Sequence, residues 1–548
     1  MNRLHRTAAR TSPKVTLLQL NVSSCLLVSL SLGICLCIIS IFYVSRNDMF
    51  QDLLRVQDEF DANTVSSGMA RKSKAVHWRP FANLHELEQY ECVQFHYTAN
   101  CSPTGVSIQK LKCSVPIPGT ASGYCEVRHR ITGEIRSVLN RRCGATRTSV
   151  EIACNQFRKV LGHALRAKEF EPNPSATAAT GRKLLHMENP KLELATSTFD
   201  RGIAMIISPN RIHSAYASIK WLRQTGCILP IELWYRPTEF PFINSMKAES
   251  NASYPVIAVL IQYYDVFLRK IDPNAQAESS FAKIYAVAYS TFKQLLLLDA
   301  DNFAVSDPTR LFESDAFVKT GAIFWPDFWL PDRTMFFMND HSLVWEMLNV
   351  EYVYMFEQES GQVLIDRERH TKALSVLAYF GLRRPRLLVE LGFSWGDKDL
   401  FRFAWMTTNS TFHFISGPPG SAGILLREKN LFCGQSIVQH DPDGKIIFVH
   451  RNNQKLRPNT TKAVWTHIQE YNTADLSKFR VDSTDGDENF SKWNVSQCFG
   501  KYTDYGRYYK LTAFEDYPFA HIEATLFEYV KRSGAMIAPF PELQPEED

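Results

Sequence analysis

Two aspartates one residue apart, Asp299 and Asp301, are the residues whose types and spacing most directly suggest chemistry. They follow Leu295–Leu298, a short apolar run typical of a strand buried in a parallel sheet. Side chains at positions i and i+2 of an extended segment lie on the same side, so the two carboxylates are expected to converge. Paired carboxylates suit a hard divalent cation such as Mg²⁺ or Mn²⁺. A strand end whose aspartates cap a turn is the simpler alternative.

The segments around this pair predict an α/β domain. Gly202–Ser208 has the composition of a buried strand, Ile212–Gln224 carries apolar residues at helical spacing, and Pro230–Tyr235 predicts a second strand. This order forms a βαβ unit with a parallel pair of strands. Another helical stretch, Phe281–Phe292, leads into the leucine-rich strand. Open α/β sheets bind ligands at the carboxyl ends of their strands, which favours the metal site over the simple turn.

The amino-terminal region predicts a membrane anchor. Residues 15–45 contain no charged side chain, and four Lys or Arg residues precede them. About 20 apolar residues suffice to span a bilayer, and the positive charges favour a cytosolic amino terminus. A cleaved signal peptide is the alternative, but its apolar region is usually only ~7–15 residues long. We therefore expect a type II single-pass membrane protein whose remaining chain is lumenal.

The cysteines also indicate a secretory lumen, as do the Asn-x-Ser/Thr glycosylation acceptors after the span at Asn100, Asn251, Asn409, Asn459, Asn489 and Asn494. Nine cysteines follow the span, and six of them lie between residues 92 and 154, as in a disulfide-stapled unit. A zinc site is the alternative, but these cysteines form no Cys-x-x-Cys pair. Because nine is odd, at least one thiol is free or pairs with another chain. The predicted domains are a cytosolic tail (1–14), a transmembrane span (15–45), a stem (46–85), a Cys-rich unit (86–160), a linker (161–198) and a catalytic domain (199–548).

Charge and motifs exclude several classes of function. The net charge of +4 is small for 548 residues and gives no reason to expect nucleic acid as a partner. The sequence contains neither the Gly-x-Gly-x-x-Gly motif of dinucleotide binding nor the Gly-x-x-x-x-Gly-Lys-Ser/Thr motif of a P-loop.

Several segments in consistent order resemble one family, the fungal-type Golgi α-mannosyltransferases called Mnn, which are GT-A glycosyltransferases. The match covers roughly residues 199–470. The similar segments are Leu298–Asn302 with Asp307 and Pro308, Gly321–Trp329, Glu359–Gln362 with Asp366 and His370, Trp395–Asp399, and Gln439–Lys445 with His450 and Arg451.

The resemblance implies a GT-A fold with a Rossmann-like mixed sheet, and a retaining, metal-dependent transfer of α-mannose from GDP-mannose. Mn²⁺ or Mg²⁺ would be the cofactor, and a glycan or glycoprotein would be the acceptor. The protein would act in protein glycosylation from the Golgi membrane, with its catalytic domain in the lumen. A disulfide-linked chain or a Golgi complex would be its protein partner. The alternatives are another nucleotide-sugar donor on the same fold, or a non-catalytic membrane-anchored protein that binds carbohydrate.

The resemblance also implies roles for residues around the aspartate pair. Asp301 is expected to bind the metal directly, whereas Asp299 either holds the ribose or reaches the metal through water. His450 is the first choice for a third ligand, and His440 is the second. Lys283 would supply positive charge to the diphosphate, unless it is an ordinary solvated helix lysine.

Two further groups of residues are expected to contact the donor or to take part in catalysis. Asp397 and Asp399 are the predicted catalytic pair, and the alternative is that they are acids stabilised at the start of a helix. Asp327 and Trp329 are expected to line the donor site, whereas Trp325 and Phe328 are predicted to lie in an aromatic core. Gly361 would let the backbone approach the donor, and Gln362 would bridge two hydroxyls.

Overall fold

The computed structural model describes residues 79–170, 199–240, 254–334, 336–485, 488–493, 497–503 and 506–536. The predicted cytosolic tail and span and nearly all of the predicted stem lie outside the described residues, and so does most of the predicted linker. Among the helices of the described ranges, none combines the length and apolar character that crossing a membrane requires.

The first region, residues 79–170, is a small β-rich module that ends in a helix. Three disulfides join its six cysteines, as Cys92–Cys113, Cys101–Cys143 and Cys125–Cys154, which confirms the prediction of a disulfide-stapled unit over a zinc site. Helix α2 runs on through Lys168, so ordered structure continues past the predicted boundary at residue 160. The elements are α1 Leu84–Glu88, β1 Tyr90–Thr98, β2 Ser107–Leu111, β3 Pro116–Pro118, β4 Gly123–His129, β5 Ile135–Arg141, β6 Glu151–Ala153 and α2 Phe157–Lys168.

The second region alternates strands with helices, as its apolar runs predict. Helix α3 has the predicted bounds, and strand β10 contains the four leucines. The elements are β7 Arg201–Ile206, α3 Ile212–Gln224, β8 Ile231–Tyr235, α4 Tyr254–Tyr263, β9 Val266–Lys270, α5 Ala282–Tyr289, β10 Gln294–Leu298, β11 Asn302–Ala304, α6 Asp315–Thr320, β12 Ala322–Pro326, α7 Leu343–Leu348, β13 Gln358–Asp366, α8 Thr371–Leu382, α9 Leu387–Glu390, α10 Leu400–Thr407 and β14 His413–Phe414.

Most strands of this region form one mixed sheet in the order β14-β12-β13-β10-β7-β8-β9. Strands β10, β7, β8 and β9 run parallel, which confirms the predicted βαβ unit β7-α3-β8. Strand β13 is antiparallel to both β10 and β12. Leu295–Leu298 of β10 are all buried, so both faces of this strand are covered. For this reason its apolar residues do not alternate with polar ones.

The third region builds a second sheet on the strand that follows the aspartates. The main path of this sheet is β11-β17-β16-β15-β18-β21, and β20 joins β16 to β19. A fourth disulfide, Cys433–Cys498, lies in this region, and Cys227 is the buried free thiol among the described cysteines. The elements are β15 Gly420–Leu426, β16 Leu431–His440, β17 Ile446–His450, β18 His467–Tyr471, β19 Asp482–Asp485, β20 Gln497–Gly500, β21 Tyr509–Ala513 and α11 Ile522–Gly534.

The disulfide module shares its hydrophobic core with the central sheet. One continuous buried cluster includes Phe95 and Leu161 of the module together with Trp345 and Phe380. Glu346 joins the two parts by polar contacts, since its carboxylate accepts hydrogen bonds from the backbone N–H groups of Leu139 at 2.7 Å and Asn140 at 2.9 Å. The module is therefore packed against the second region.

Candidate metal and donor site

The aspartates lie where the chain leaves the central sheet and enters the second one. Leu298, the last residue of β10, pairs with Gln362 of β13. Only four residues later, Asn302 begins β11 and pairs with His450 of β17. The antiparallel register of β11 and β17 therefore brings His450 beside a pair of carboxylates that precede it by about 150 residues.

Helix α3 fixes the backbone of the segment that carries the aspartates. The Ser214 hydroxyl donates to the carbonyl oxygen of Ala300 at 2.9 Å, and the Trp221 indole donates to that of Ala304 at 2.6 Å. The Asn302 side chain donates to the carbonyl oxygen of Gly361 at 3.0 Å. Because buried carbonyls that lack a partner are costly, these bonds hold the segment in one conformation.

Asp299, Asp301 and His450 form a buried cluster that could hold a metal ion, with one ligand atom from each within 4.8 Å of the others. His450 Nε2 lies 3.2 Å from Asp301 Oδ1 and 3.9 Å from Asp299 Oδ2. Two carboxylates and an imidazole are ligand types that can hold a divalent metal ion. The geometry thus brings the predicted ligands together, and it favours His450 over His440, whose Nε2 instead lies 2.9 Å from Glu470.

Gly361 forms the floor under His450. A Cβ atom at this glycine would lie 2.4 Å from His450 Nδ1 and 2.8 Å from Glu359 Oε1, so no larger residue fits without displacing the ring. The close approach that the structure shows at Gly361 is made by His450, and the approach of the donor to this glycine stays a prediction. Gly361 supports the hypothesis of a metal site, because the absence of a side chain leaves room for the His450 imidazole beside the two aspartates.

Charged neighbours set the protonation of the cluster. Burial opposes a charge on His450, yet the carboxylates of Asp301 and Glu359 raise its pKa to about 9. Burial alone would raise the pKa of Asp301, but His450 and Lys455 hold it below its usual range. Burial also disfavours ionised Glu359, but His450 and Lys283 lower its pKa to about 2.

Glu359 and Lys455 also contact this cluster, although the sequence predicts neither residue as part of it. Glu359 Oε1 lies 3.3 Å from His450 Nδ1 and accepts the Gly361 N–H at 2.6 Å. Lys455 forms an ion pair with Asp301 Oδ2. Glu359 belongs to the quoted Glu-Ser-Gly-Gln segment, and Lys455 follows His450 by five residues, but neither spacing on its own indicates a contact.

Lys283 bridges the metal cluster and the predicted catalytic loop. Its Nζ donates to Asp299 Oδ2 at 2.8 Å and to the Ser360 carbonyl at 3.1 Å, and it lies 3.9 Å from Asp397 Oδ2. The side chain is buried rather than solvated, so the alternative of an ordinary surface lysine is wrong. Burial would lower the pKa of Lys283, but the charges of Asp299 and Asp397 raise it, so the lysine is a fixed positive charge.

The predicted catalytic aspartates have different surroundings. Burial raises the pKa of Asp397 to about 6 against the opposing charge of Lys283, and Asp397 Oδ2 has no hydrogen-bond partner among the described residues. Asp399 Oδ1 instead accepts from the Gln358 backbone at 2.9 Å and from Arg402 Nε at 2.7 Å. Asp399 is fully buried, so the structure gives it a supporting role at the start of α10 and leaves Asp397 as the reactive candidate.

The remaining predicted donor residues lie at the edge of the site or behind it. Asp327 Oδ2 lies 2.6 Å from Lys398, whose Nζ also lies 2.7 Å from Glu357. Trp329 is partly buried against the core. Gln362 is fully buried, and its side-chain oxygen Oε1 accepts a hydrogen bond from Asn302 Nδ2 at 2.6 Å. It therefore supports the segment that carries the aspartates, in place of the predicted contact with sugar hydroxyls.

The aromatic residues beside Asp327 belong to the core, as predicted. Trp325 is fully buried, and its indole donates to the His440 carbonyl at 2.8 Å. Phe328 is also buried.

Comparisons with known proteins find similarity to mannosyltransferases. A family model described as "Mannosyltransferase putative" matches residues 200–441. The α-1,2-mannosyltransferase MNN21 of Candida albicans is 26% identical over 284 residues, which are 43% of this chain and 42% of that protein. The α-1,2-mannosyltransferase MNN5 of Saccharomyces cerevisiae is 25% identical over 356 residues, or 56% of this chain and 58% of that protein. Residues 200–441 of this chain are therefore similar to mannosyltransferases, and the relatives that match include fungal Mnn α-1,2-mannosyltransferases.

The Mnn relatives match only in part. The chain spans about half the length of the curated relatives it matches. A solved structure that is similar to this chain is that of the mannosyltransferase Ktr4p from S. cerevisiae in complex with GDP. The match covers 47% of this chain and 84% of the Ktr4p chain, with 11% sequence identity and a TM-score of 0.25. A superposition this weak says nothing about residue roles, which rest on the contacts described above.

Proposed function

We propose that this protein transfers α-mannose from GDP-mannose to a glycan acceptor with the help of a divalent cation. The observation that carries the proposal is the buried group of Asp299, Asp301 and His450, which lies in the region matched by the mannosyltransferase family model and just beyond it. The metal ligands do not select the donor sugar, because that selection depends on the shape of the pocket. We therefore assign mannose from the similarity to the Mnn mannosyltransferases.

The chemistry is the exchange of one bond at the anomeric carbon. The C1–O bond to the diphosphate breaks, a C1–O bond to an acceptor hydroxyl forms, and the hydroxyl proton leaves to a base. A bound divalent cation would neutralise the charge that develops on the departing GDP. Since the sugar is α-linked in both donor and product, the configuration is retained.

The chain's own residues supply the rest. Asp299, Asp301 and His450 would hold the cation, and Lys283 places a fixed positive charge 2.8 Å from Asp299. Asp397, 3.9 Å from Lys283, is the acid best placed to serve as base or nucleophile. Its pKa of about 6 leaves it largely ionised at neutral pH, as either role requires.

We also propose that the protein acts in the Golgi lumen, anchored by residues 15–45 as a type II membrane protein. The four disulfides of the described region support this, because disulfides persist in oxidising compartments. Fluorescence microscopy of the tagged protein, with protease protection of its carboxyl terminus, tests both location and orientation. Cleavage of that terminus in intact vesicles would contradict the lumenal assignment.

The test of the activity uses the full-length protein, purified in detergent, with a panel of nucleotide sugars, an oligomannoside acceptor, and Mn²⁺ or Mg²⁺. We expect metal-dependent release of GDP from GDP-mannose, and a loss of at least about 100-fold in Asp301→Asn, because the variant removes a ligand charge. Asp315→Asn is the matched control, since Asp315 is exposed on α6. Turnover of a different nucleotide sugar would identify another donor, no turnover by the wild type would refute the enzyme, and full activity of Asp301→Asn would refute the metal role.

A further inference from the structure

Trp395 is the exposed exception among the tryptophans that the structure describes. Its exposed fraction is 72%, whereas Trp221, Trp234, Trp325, Trp345, Trp405 and Trp465 are buried and Trp329 and Trp493 are partly buried. A lone exposed apolar residue is common on protein surfaces and by itself means little. Trp395 differs because of the loop that carries it and because of where that loop lies.

The loop around Trp395 is held on both sides. Phe393, Ser394 and Asp397 are buried, and Trp395 is the exposed member of the stretch 391–400. The Asp399 N–H donates to Ser394 Oγ at 3.3 Å, and the Phe393 N–H donates to the Leu388 carbonyl at 2.8 Å. The fold therefore presents the indole to solvent on a fixed backbone.

Gly396 adds to this constraint. Its φ of +63° lies in the left-handed region that favours glycine, and a Cβ atom there would lie 2.3 Å from Ser280 Oγ. The loop thus packs tightly against the segment that precedes α5, the helix of Lys283.

The loop is also part of the candidate active site. Trp395 precedes Asp397 by two residues, so their Cα atoms lie within about 7 Å of each other. Asp397 is 3.9 Å from Lys283, which is 2.8 Å from Asp299. The exposed indole therefore belongs to the same short loop as the acid that is best placed to meet an acceptor hydroxyl.

An indole offers a large rigid face with little side-chain entropy to lose, and its face packs against the C–H groups of a pyranose ring. We propose that Trp395 is the platform on which a hexose ring of the acceptor glycan packs beside Asp397. This inference rests on the proposed function, since it assigns the acceptor side of the same site. A protein partner is the competing occupant, because exposed tryptophans are also frequent anchors of protein interfaces.

The first experiment compares Trp395→Ala and Trp395→Phe with the wild type in the full-length enzyme, with an α-linked oligomannoside as acceptor. We expect the KM for the acceptor to rise about tenfold in Trp395→Ala, with a much smaller change in the KM for GDP-mannose, and Phe to restore most of the loss. Val318→Ala is the matched control, because Val318 is 63% exposed on α6. An unchanged acceptor KM, or equal rises in both KM values, would overturn the proposal.

The second experiment keeps this inference separable from the proposed function. Tryptophan fluorescence of the wild type and of Trp395→Phe is titrated with the oligomannoside alone, without donor or metal. A spectral shift that saturates in the wild type and is lost in the variant supports the platform even if no nucleotide sugar is turned over. No shift in the wild type, or a change of oligomeric state in Trp395→Phe that indicates a protein interface, would refute it.

Discussion

Gly361→Ala tests the metal site without removing any of its ligands. The added Cβ would lie 2.4 Å from His450 Nδ1, whereas ordinary contacts begin at about 3.4 Å, so the ring must retreat by about 1 Å. His450 Nε2 is only 3.2 Å from Asp301 Oδ1, so a retreat of this size separates the imidazole from the two carboxylates. We expect Mn²⁺ binding to weaken by about 10- to 100-fold, as for changes that misorient a metal ligand.

The measurement is calorimetric or electron-spin-resonance titration of the full-length protein with Mn²⁺, with thermal unfolding recorded in parallel. Gly417→Ala is the matched control, because a Cβ there meets no atom within 4 Å. We expect the control to bind as the wild type does. If Gly361→Ala is folded and binds Mn²⁺ with wild-type affinity, then His450 is not a ligand, and the reasoning from the shape of the site is wrong.

Two further predictions concern the disulfide module. Glu346→Ala should lower the free energy of unfolding by about 2–5 kcal/mol in urea titrations, because it leaves the N–H groups of Leu139 and Asn140 buried without an acceptor; a loss below about 0.5 kcal/mol would contradict this. His163 is buried and its pKa is lowered to about 3, so the folded state resists its protonation and stability is lost as pH falls from about 6.5 toward 3. Between pH 7.5 and pH 4.5, the free energy of unfolding of His163→Phe should therefore fall by about 2–3 kcal/mol less than that of the wild type. An equal fall in both proteins would refute the conclusion that His163 is buried in its neutral form.

The sequence predicts the elements whose signal is local. Helix α3 has the predicted bounds because its apolar residues recur at helical spacing, and β10 is a strand because its leucines end at a turn. Asp299 and Asp301 also converge as predicted, but they do so in a turn closed by the Asn302 N–H bond to the Asp299 carbonyl at 3.0 Å, and not in the extended segment that the prediction assumed. The sharing of one core by the disulfide module and the central sheet could not be predicted, because it depends on contacts between distant segments.

The roles of single site residues depended on such long-range contacts. Gln362 and Asp399 have side chains that suit a sugar or a base, but the structure buries both against internal partners, Asn302 and Arg402. Lys455 contacts Asp301 across 154 positions of the chain. Only the pairing of β11 with β17 makes that contact, and no local pattern reports the register of two strands so far apart.

The charges of the cluster indicate how it can accept a cation. The carboxylates of Asp299, Asp301 and Glu359 face the positive charges of Lys283, Lys455 and a protonated His450. Asp397, 3.9 Å from Lys283, adds a fourth carboxylate. A divalent ion would supply the same positive charge as His450 and Lys455 together if His450 gives up its proton and Lys455 gives up Asp301.

Lys283 is buried and cannot leave, but the Lys455 side chain is 38% exposed and can turn toward solvent. Lys455 would then be a free cation at the rim of the site, beside Arg457 and Lys462 in the same basic cavity of about 560 Å³. The positive charge of Lys455 would then be available to an anionic diphosphate at the rim of the site.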